Sequence, residues 1–450
     1  MRTLFFLFSI LLIAQLSSAQ NYLGLHSSRL FPLQNLSNQP ADLVMSKYKW
    51  NINLVSGQIA LLNNLAFNEP DMVKRLSTAG IIDLKYILGA ENSRLYVNGR
   101  FMLPSVSYSI NKNHAVALST NFRGDAIYRA SSNEMLNLFK GVNNPELLEN
   151  LSDEYFKTVL NSWMEYNATY SGVIFNKGEH QLNGGITIKY LVGGASAYID
   201  IDDIEVKYNK ERIETFDVHL SYAFNKSIYN TVENGTMDLS NDHGFGLDLG
   251  ISYIYKPDNI KDDPKRDYLI KAGFFVSDLG SVKNKSEVRQ GAYNIAVNNL
   301  EYSSLMGVRS LEALVDTLKD AASITEDNSG SYTMDLPLSI GLTADYNFRP
   351  NWYIFGSFAY QPQQYARTVD ILLDDIYTTN ITARYETNKL GAYLPITYSN
   401  LLGWNAGIGF SYRYFYIGSS TILSNLVNPQ KGMGEFYFGL NIPLGKIDKK

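Results

Sequence analysis

Apolar residues recur at every second position along most of this chain, the period of a β-strand whose two faces meet different surroundings. Phe245, Leu247, Leu249, Ile251, Tyr253 and Tyr255 alternate with Gly246, Asp248, Gly250 and Ser252. Phe216, Val218, Leu220, Tyr222 and Phe224 alternate with Asp217, His219, Ser221 and Ala223, and Leu336, Leu338, Ile340, Leu342, Ala344 and Tyr346 with Pro337, Ser339, Gly341, Thr343 and Asp345. A water-soluble sandwich alternates too, so the period alone does not name the solvent. Two features favour lipid. Many segments run about ten residues or more, long enough to cross a bilayer when tilted and about twice the usual strand of a soluble protein. Aromatic residues gather at their ends, as at Tyr253 and Tyr255, Trp352 and Tyr360, and Tyr412, Tyr414 and Tyr416, which suits girdles at the two lipid–water interfaces.

The pattern predicts an all-β chain, a transmembrane antiparallel β-barrel of about fourteen strands, near 49–60, 95–110, 115–124, 164–176, 181–192, 196–208, 212–225, 244–256, 267–279, 333–347, 351–361, 382–398, 402–417 and 434–444. In such barrels the termini and short turns are periplasmic and the long loops lie outside. With the first strand running outward, the short links Asn111–His114, Asn176–Glu179, Asn209–Arg212, Phe348–Asn351 and Ser399–Leu402 fall on the periplasmic side, and a tight turn is expected at 193–195. The segments 61–94, 125–163, 226–243, 280–332, 362–381 and 418–433 fall outside. Three of the short links open with Asn-Lys, a turn chemistry that tolerates left-handed backbone. Leucines and aromatics at helical spacing in Leu136–Leu160, Asn294–Ala322 and, more weakly, Pro70–Leu88 predict partly helical extracellular loops. Such helices either pack on each other above the rim or meet a partner.

The beginning of the chain places this barrel in a cell. Met1 and Arg2 precede an apolar run from Leu4 to Leu16 and the small residues Ser17-Ser18-Ala19, the layout of a cleavable secretory signal peptide. The run is too short to span a bilayer, and no later segment supplies the roughly 20 apolar residues of a membrane helix. The expected division is a signal peptide at 1–19, a periplasmic or plug segment at 20–48 and a barrel at 49–450, located in the cell outer membrane. In the second of these, Leu23, Leu25, Leu30, Phe31, Leu33, Leu36 and Leu43 need cover that a barrel lumen provides. Composition agrees: 32 tyrosines, 33 glycines and 18% charged residues differ from a soluble domain, where about 25% are charged. There is no cysteine, which removes a lipid-anchored lipoprotein, disulfides and thiol chemistry. A net charge of −5 gives no nucleic-acid footprint.

Candidate chemistry is sparse. The five histidines, at 26, 114, 180, 219 and 243, show no metal-ligand spacing, so no cofactor, metal or catalytic residue is expected and the chain is not read as an enzyme. Alternation turns Arg94, Arg100, Arg123, Lys189, Asp217, His219, Asp248, Lys271 and Asp345 toward the lumen. Opposed basic and acidic patches would orient a polar solute, as charged rings do in channels; alternatively they pair with one another and fill a closed interior, because an unpaired charge in a narrow barrel is costly.

Several runs carry a resemblance. Asn38-Gln39-Pro40-Ala41, Phe101-Met102-Leu103-Pro104-Ser105, His114-Ala115-Val116-Ala117-Leu118-Ser119, Gly185-Ile186-Thr187-Ile188-Lys189-Tyr190-Leu191, Gly244-Phe245-Gly246-Leu247-Asp248-Leu249-Gly250 and Ser277-Asp278-Leu279-Gly280 resemble a Bacteroidota outer-membrane barrel family of unknown function. That family is similar in layout to the long-chain fatty-acid transporter (FadL-like) barrels and to the accessory barrel of the type IX secretion translocon. The resemblance implies a plug near the N-terminus that either stays put or moves on ligand binding, with Asn38, Pro40 and Ala41 as its candidates. Some relatives add an OmpA-like peptidoglycan-binding domain, whereas only six residues follow Leu444 here. The last strand, Phe436 to Leu444, resembles an assembly signal but lacks the usual terminal aromatic.

Two functions are expected from this. One is transport of a hydrophobic or amphipathic small molecule across the outer membrane. The other is a non-enzymatic structural or accessory subunit of an outer-membrane secretion or assembly complex, meeting protein partners through 125–163 and 280–332. The expected partners are outer-membrane lipids, the barrel-assembly machinery during biogenesis and no nucleic acid.

Overall fold

The computed structural model describes residues 24–63, 66–67, 87–88, 93–131, 151–209, 212–228, 239–260, 263, 265–301, 323–327, 330–362, 375–400, 403–428 and 434–447. Strands dominate them. They are β1 (Tyr48–Asn63), β2 (Ser93–Met102 continued by Ser105–Ser109), β3 (His114–Ala130), β4 (Leu151–Lys177), β5 (His180–Asn209), β6 (Arg212–Phe224), β7 (His243–Tyr255), β8 (Ile270–Asn284) and β9 (Arg289–Glu301). There follow β10 (Ser323–Asp327), β11 (Tyr332–Asp335 continued by Ser339–Arg349), β12 (Trp352–Gln361), β13 (Ile376–Glu386), β14 (Leu390–Ser399), β15 (Gly403–Ala406 continued by Ile408–Tyr412), β16 (Phe415–Ser419) and β17 (Gly434–Lys446).

Fourteen of these close into an antiparallel barrel. Each wall strand pairs with the next, β5 with β7 and β8 with β11 being the two places where strands are skipped, and β17 returns to β1 from Tyr48↔Lys446 to Leu61↔Gly434. Closure gives each wall strand a hydrogen-bonded neighbour on both sides, which is what lets strands cross hydrocarbon. The outward positions are the apolar ones: Leu118, Ile174, Ile188, Phe245, Leu342 and Trp404 are all exposed. Aromatic pairs edge this belt, Trp50 with Tyr108 and Trp352 with Tyr385 at the end of the short turns, Tyr398 with Trp404 and Tyr190 with His243 at the other. From His180, bonded to Tyr253 at 2.6 Å, to Tyr190 the strand β5 advances ten residues. At about 3.3 Å per residue and a tilt near 40°, that is a belt about 25 Å tall.

The three skipped strands, β6, β9 and β10, are not in the wall. They extend the upper parts of β4 and β5 into a sheet ordered β4-β5-β6-β9-β10 that rises above the belt. It has an apolar core of its own, including Phe156, Ile201, Ile204, Val206, Phe216, Val218, Leu220 and Ile295.

The count of fourteen therefore stands while its membership changes. The segments expected as strands at 196–208 and 212–225 belong to the projection, the first as the continuation of 181–192 in one strand. The expected turn at 193–195 is a bulged stretch inside β5, where the register against β4 shifts between Asn161 and Trp163. Two expected strands each divide: 382–398 contains the end of β13 and β14, and 402–417 contains β15 and the start of β16. The links Asn209–Arg212 and Ser399–Leu402 consequently lie at the end of the long connections, not among the short turns. The expected helices are corrected as well, since Leu151–Leu160 and Asn294–Glu301 are strand. The rest of those loops, most of Pro70–Leu88 and the signal peptide lie outside the described residues.

Candidate functional site

The lower lumen is filled by Gly24–Ser46. Two 3₁₀ turns shape it, Pro32–Asn35 and Pro40–Met45, each opened by a proline whose fixed φ suits the first position of a helical turn. The apolar residues expected to seek cover find it. Leu25, Leu30 and Phe31 pack on Tyr393, Tyr416 and Tyr437, while Leu33, Leu36, Leu43 and Val44 pack on Met102, Ala115 and Ala117.

One contact is unusually close. Gln39-Pro40-Ala41 lies against Gly185 of β5, Gly250 of β7 and Gly273 of β8, and a methyl group built on any of the three would overlap it. Gln39 Nε2 donates to the carbonyls of Ile251 (3.1 Å) and Phe274 (3.3 Å), and Ser171 Oγ donates to the carbonyl of Ala41 at 2.9 Å. On the lipid side of this same stretch is a concavity of about 470 Å³, lined by Tyr170, Ile174, Ile186, Leu249, Ile251 and Phe274 among others. Here the wall between lipid and plug is only the thickness of a backbone.

Ionic contacts hold the plug at both ends. Ser28 Oγ donates to Glu386 at 2.7 Å, Arg29 pairs with Asp267 and, at 3.6 Å, with Glu386, and Ser27 bonds Asp345. Asp345 is further held by Arg384 at 2.7 Å and Tyr268 at 2.5 Å. Lys47, beside Asp267 at 3.2 Å, is kept below the usual lysine range by burial and by the Arg29 guanidinium. At the other end Asp42 pairs with Lys271, and Arg100 donates to Ser37 Oγ at 2.6 Å. Asn38 bonds His26 within the plug at 2.9 Å.

Above the plug is a second buried network. Arg123 meets Glu165 at 2.9 Å and Asp278 at 2.8 Å, Lys189 meets Asp248 at 2.8 Å and also Asp278, and Trp163 Nε1 donates to Glu165 at 2.9 Å. Asp278 occupies a bulge in β8 with φ +61°, between the pairs Leu247↔Leu279 and Leu249↔Val276. The bulge turns its carboxylate inward and lets the Asp278 amide donate to Asp248 at 2.7 Å. Higher still, Tyr96, Ile127, Val159, Tyr198, Tyr332, Met334 and Ile376 converge from around the wall as an apolar layer. The lumen is thus stacked as plug, ionic layer and apolar layer.

Of the residues expected at the lumen, Arg100, Arg123, Lys189, Asp248, Lys271 and Asp345 are buried in these networks, and Arg94 is half-buried near the upper rim. Asp217 and His219 are not lumen residues: β6 lies in the projection, where both are exposed and His219 bonds Asn294. Sequence reasoning missed Glu165, Asp267, Asp278, Arg384 and Glu386. Glu165 continues the polar row Asn167, Thr169, Ser171 on β4, and Arg384 and Glu386 share a face of β13, so a period-two signal existed for these. For Asp278 it did not, because a bulge breaks the period.

The chain belongs to a family of unknown function (DUF5723), whose model matches residues 40–420. No curated protein matches it. Among solved structures it is similar to a Pseudomonas aeruginosa FadL homologue (10% identity, 96% of this chain and 100% of that chain covered, TM-score 0.46). It is also similar to the Pseudomonas putida toluene transporter TodX (10%, 91% and 91%, 0.41) and the Ralstonia pickettii toluene transporter TbuX (8%, 91% and 92%, 0.41).

Proposed function

We propose that this family member passes a hydrophobic or amphipathic small molecule across the outer membrane, with Gly24–Ser46 as its gate. The observation that carries the reading is the apolar concavity backed by three glycines and the Gln39–Ala41 segment. The amide of Gln39 holds the segment by two hydrogen bonds to the wall, each worth about 1 kcal/mol net, a latch weak enough to open and specific enough to close. When it opens, an apolar molecule in the lumen has one layer of backbone between itself and hydrocarbon.

The test is flux of a fluorescent apolar probe into proteoliposomes. Deletion of residues 20–46 is expected to raise it by at least tenfold and Gln39→Ala by several-fold. Unchanged flux of every apolar and amphipathic probe in both variants removes the reading.

A second reading, an accessory subunit of an outer-membrane complex, is favoured by the projecting sheet, whose own apolar core keeps a charged face standing clear of the membrane. Crosslinking in mild detergent that yields only the lone chain counts against it.

A further inference from the structure

On the lipid face of a barrel apolar side chains mark no particular place, since nearly every outward position carries one. Shape does. The concavity outside the plug exists because two outward positions that are direct ladder partners, Gly172 of β4 and Gly184 of β5, are both glycine. Their neighbours fix the direction: Ser171 and Gly185 face the plug, so Gly172 and Gly184 face lipid. Large side chains stand around this floor. Tyr170 and Ile186 form the row above, Ile174 reaches over Gly184, and Ile251 and Phe274 continue the glycine row across β7 and β8. The ladder is made throughout that row, Gly172↔Gly184↔Ile251↔Phe274, so the concavity is a groove on a closed wall. Its volume of about 470 Å³ lies within the roughly 300–1,000 Å³ of small-ligand sites.

Below the groove, at the short-turn ends of the same strands, the chemistry changes. His114 Nδ1 bonds the Tyr170 hydroxyl at 2.7 Å and His180 Nδ1 the Tyr253 hydroxyl at 2.6 Å, each imidazole stacked on its tyrosine. With Nδ1 engaged, Nε2 is the nitrogen each ring has left to offer. Lys112 and Lys177 are exposed in the turns that lead into these two histidines, and half-buried Lys256 follows Tyr255, whose ring also stacks on His180. The acids at these strand ends are Glu179 and Asp258, and Glu179 accepts from the Asp258 amide at 2.7 Å. Three lysines against two acids leave this part of the rim positive among the described residues. Gly184 is four residues along β5 from His180, about 10 Å up the belt at about 3.3 Å per residue and a tilt near 40°. That separation suits a lipid of the leaflet that meets the short turns, its head at the rim and the middle of one chain in the groove.

We propose that the groove binds one phospholipid of that leaflet, with an acyl chain over Gly172 and Gly184 and its phosphate held by Lys112, Lys177, His114 and His180. Charge complementarity selects an anionic head, and the glycine floor holds a chain that elsewhere on the belt would slide past. From outside, the chain covers the same stretch of wall that Gln39–Ala41 covers from within. The site does not depend on the transport reading above.

Native mass spectrometry of the whole barrel, released from a neutral detergent after incubation with dioleoyl phosphatidylglycerol, is expected to retain one lipid per chain. Gly184→Leu fills the groove, and a Cβ there meets only the flexible end of Ile174; it is expected to cut retention at least tenfold, whereas Ala383→Leu, exposed to lipid on β13, leaves it unchanged. The double change Lys177→Gln and His180→Gln is expected to cut retention several-fold, and dioleoylglycerol, which lacks the phosphate, is expected to be retained several-fold less by the unaltered barrel. No phospholipid retained, retention indifferent to Gly184→Leu, or equal retention of the two lipids overturns the proposal. Without any variant, a phosphatidylglycerol carrying a diazirine at mid-chain is expected to label residues 170–186 and 249–251 in liposomes well above the rest of the belt; even labelling round the belt overturns the proposal too. Retention and labelling as expected, with flux unchanged in Gln39→Ala, sink the transport reading and spare the lipid site.

Discussion

The lower and upper halves of β5 obey the same alternation in opposite solvents. Below the bulge, Ile186, Ile188 and Tyr190 are exposed to lipid while Thr187 and Lys189 are buried in the lumen. Above it, Ile201, Ile204 and Val206 are buried and Asp203 and Lys207 are exposed. In the belt the apolar face is the outside of the molecule and the polar face its core; in the projection the arrangement is that of a soluble sheet. A period of two says that the faces differ, and leaves open which one is wet.

The sharpest way to break this comparison is to put one charge in both places. Ile188→Arg faces hydrocarbon and is expected to cost the barrel about 2–4 kcal/mol, read as a lowered midpoint in a heat-dependent gel-mobility shift. Ile201→Arg is expected to collapse the projection, read as protease cleavage between 193 and 228, with the shift of the wall left intact. A barrel destabilised equally by both would mean that the projection is not separate.

A comparable but wall-wide effect comes from the lumen. Glu165→Gln leaves the buried Arg123 with one carboxylate fewer, and breaking such a pair costs about 3–5 kcal/mol where no water enters. An unchanged urea midpoint would mean that the ionic layer is hydrated. The smallest effect belongs to the projection's exposed charges. Lys207 pairs with Glu205 in the open, so Lys207→Gln is expected to leave the urea midpoint where it is.

Much of the architecture was legible because a membrane enforces alternation, strand length and aromatic edges together, as in Phe245–Tyr255. What escaped were features that interrupt the period. Gly193-Gly194-Ala195 has turn composition and serves as a bulge, so one thirty-residue strand was divided. The true turn at Thr387-Asn388-Lys389 carries the same Asn-Lys pair as the others, and its Thr387 Oγ1 accepts from the Leu390 amide at 2.9 Å, a signal present and passed over. The turn at Arg413 takes φ +53° without glycine, asparagine or aspartate, and nothing local announces it. Of the site, the plug's apolar residues and the network members Arg100, Arg123, Lys189, Asp248, Lys271 and Asp345 were readable from alternation. The glycine floor under Gln39 was not, because close approach of two backbones leaves no pattern in either strand alone.

The stretch of β5 beyond its bulge, residues 193–209, has a consequence for who meets the molecule first. Seventeen residues at about 3.3 Å each extend roughly 55 Å along the strand, more than the depth of a headgroup layer. The pair Asn209↔Arg212 therefore stands far beyond the belt on the side away from the short turns, so that anything reaching the molecule from that side meets the projection well before the lumen.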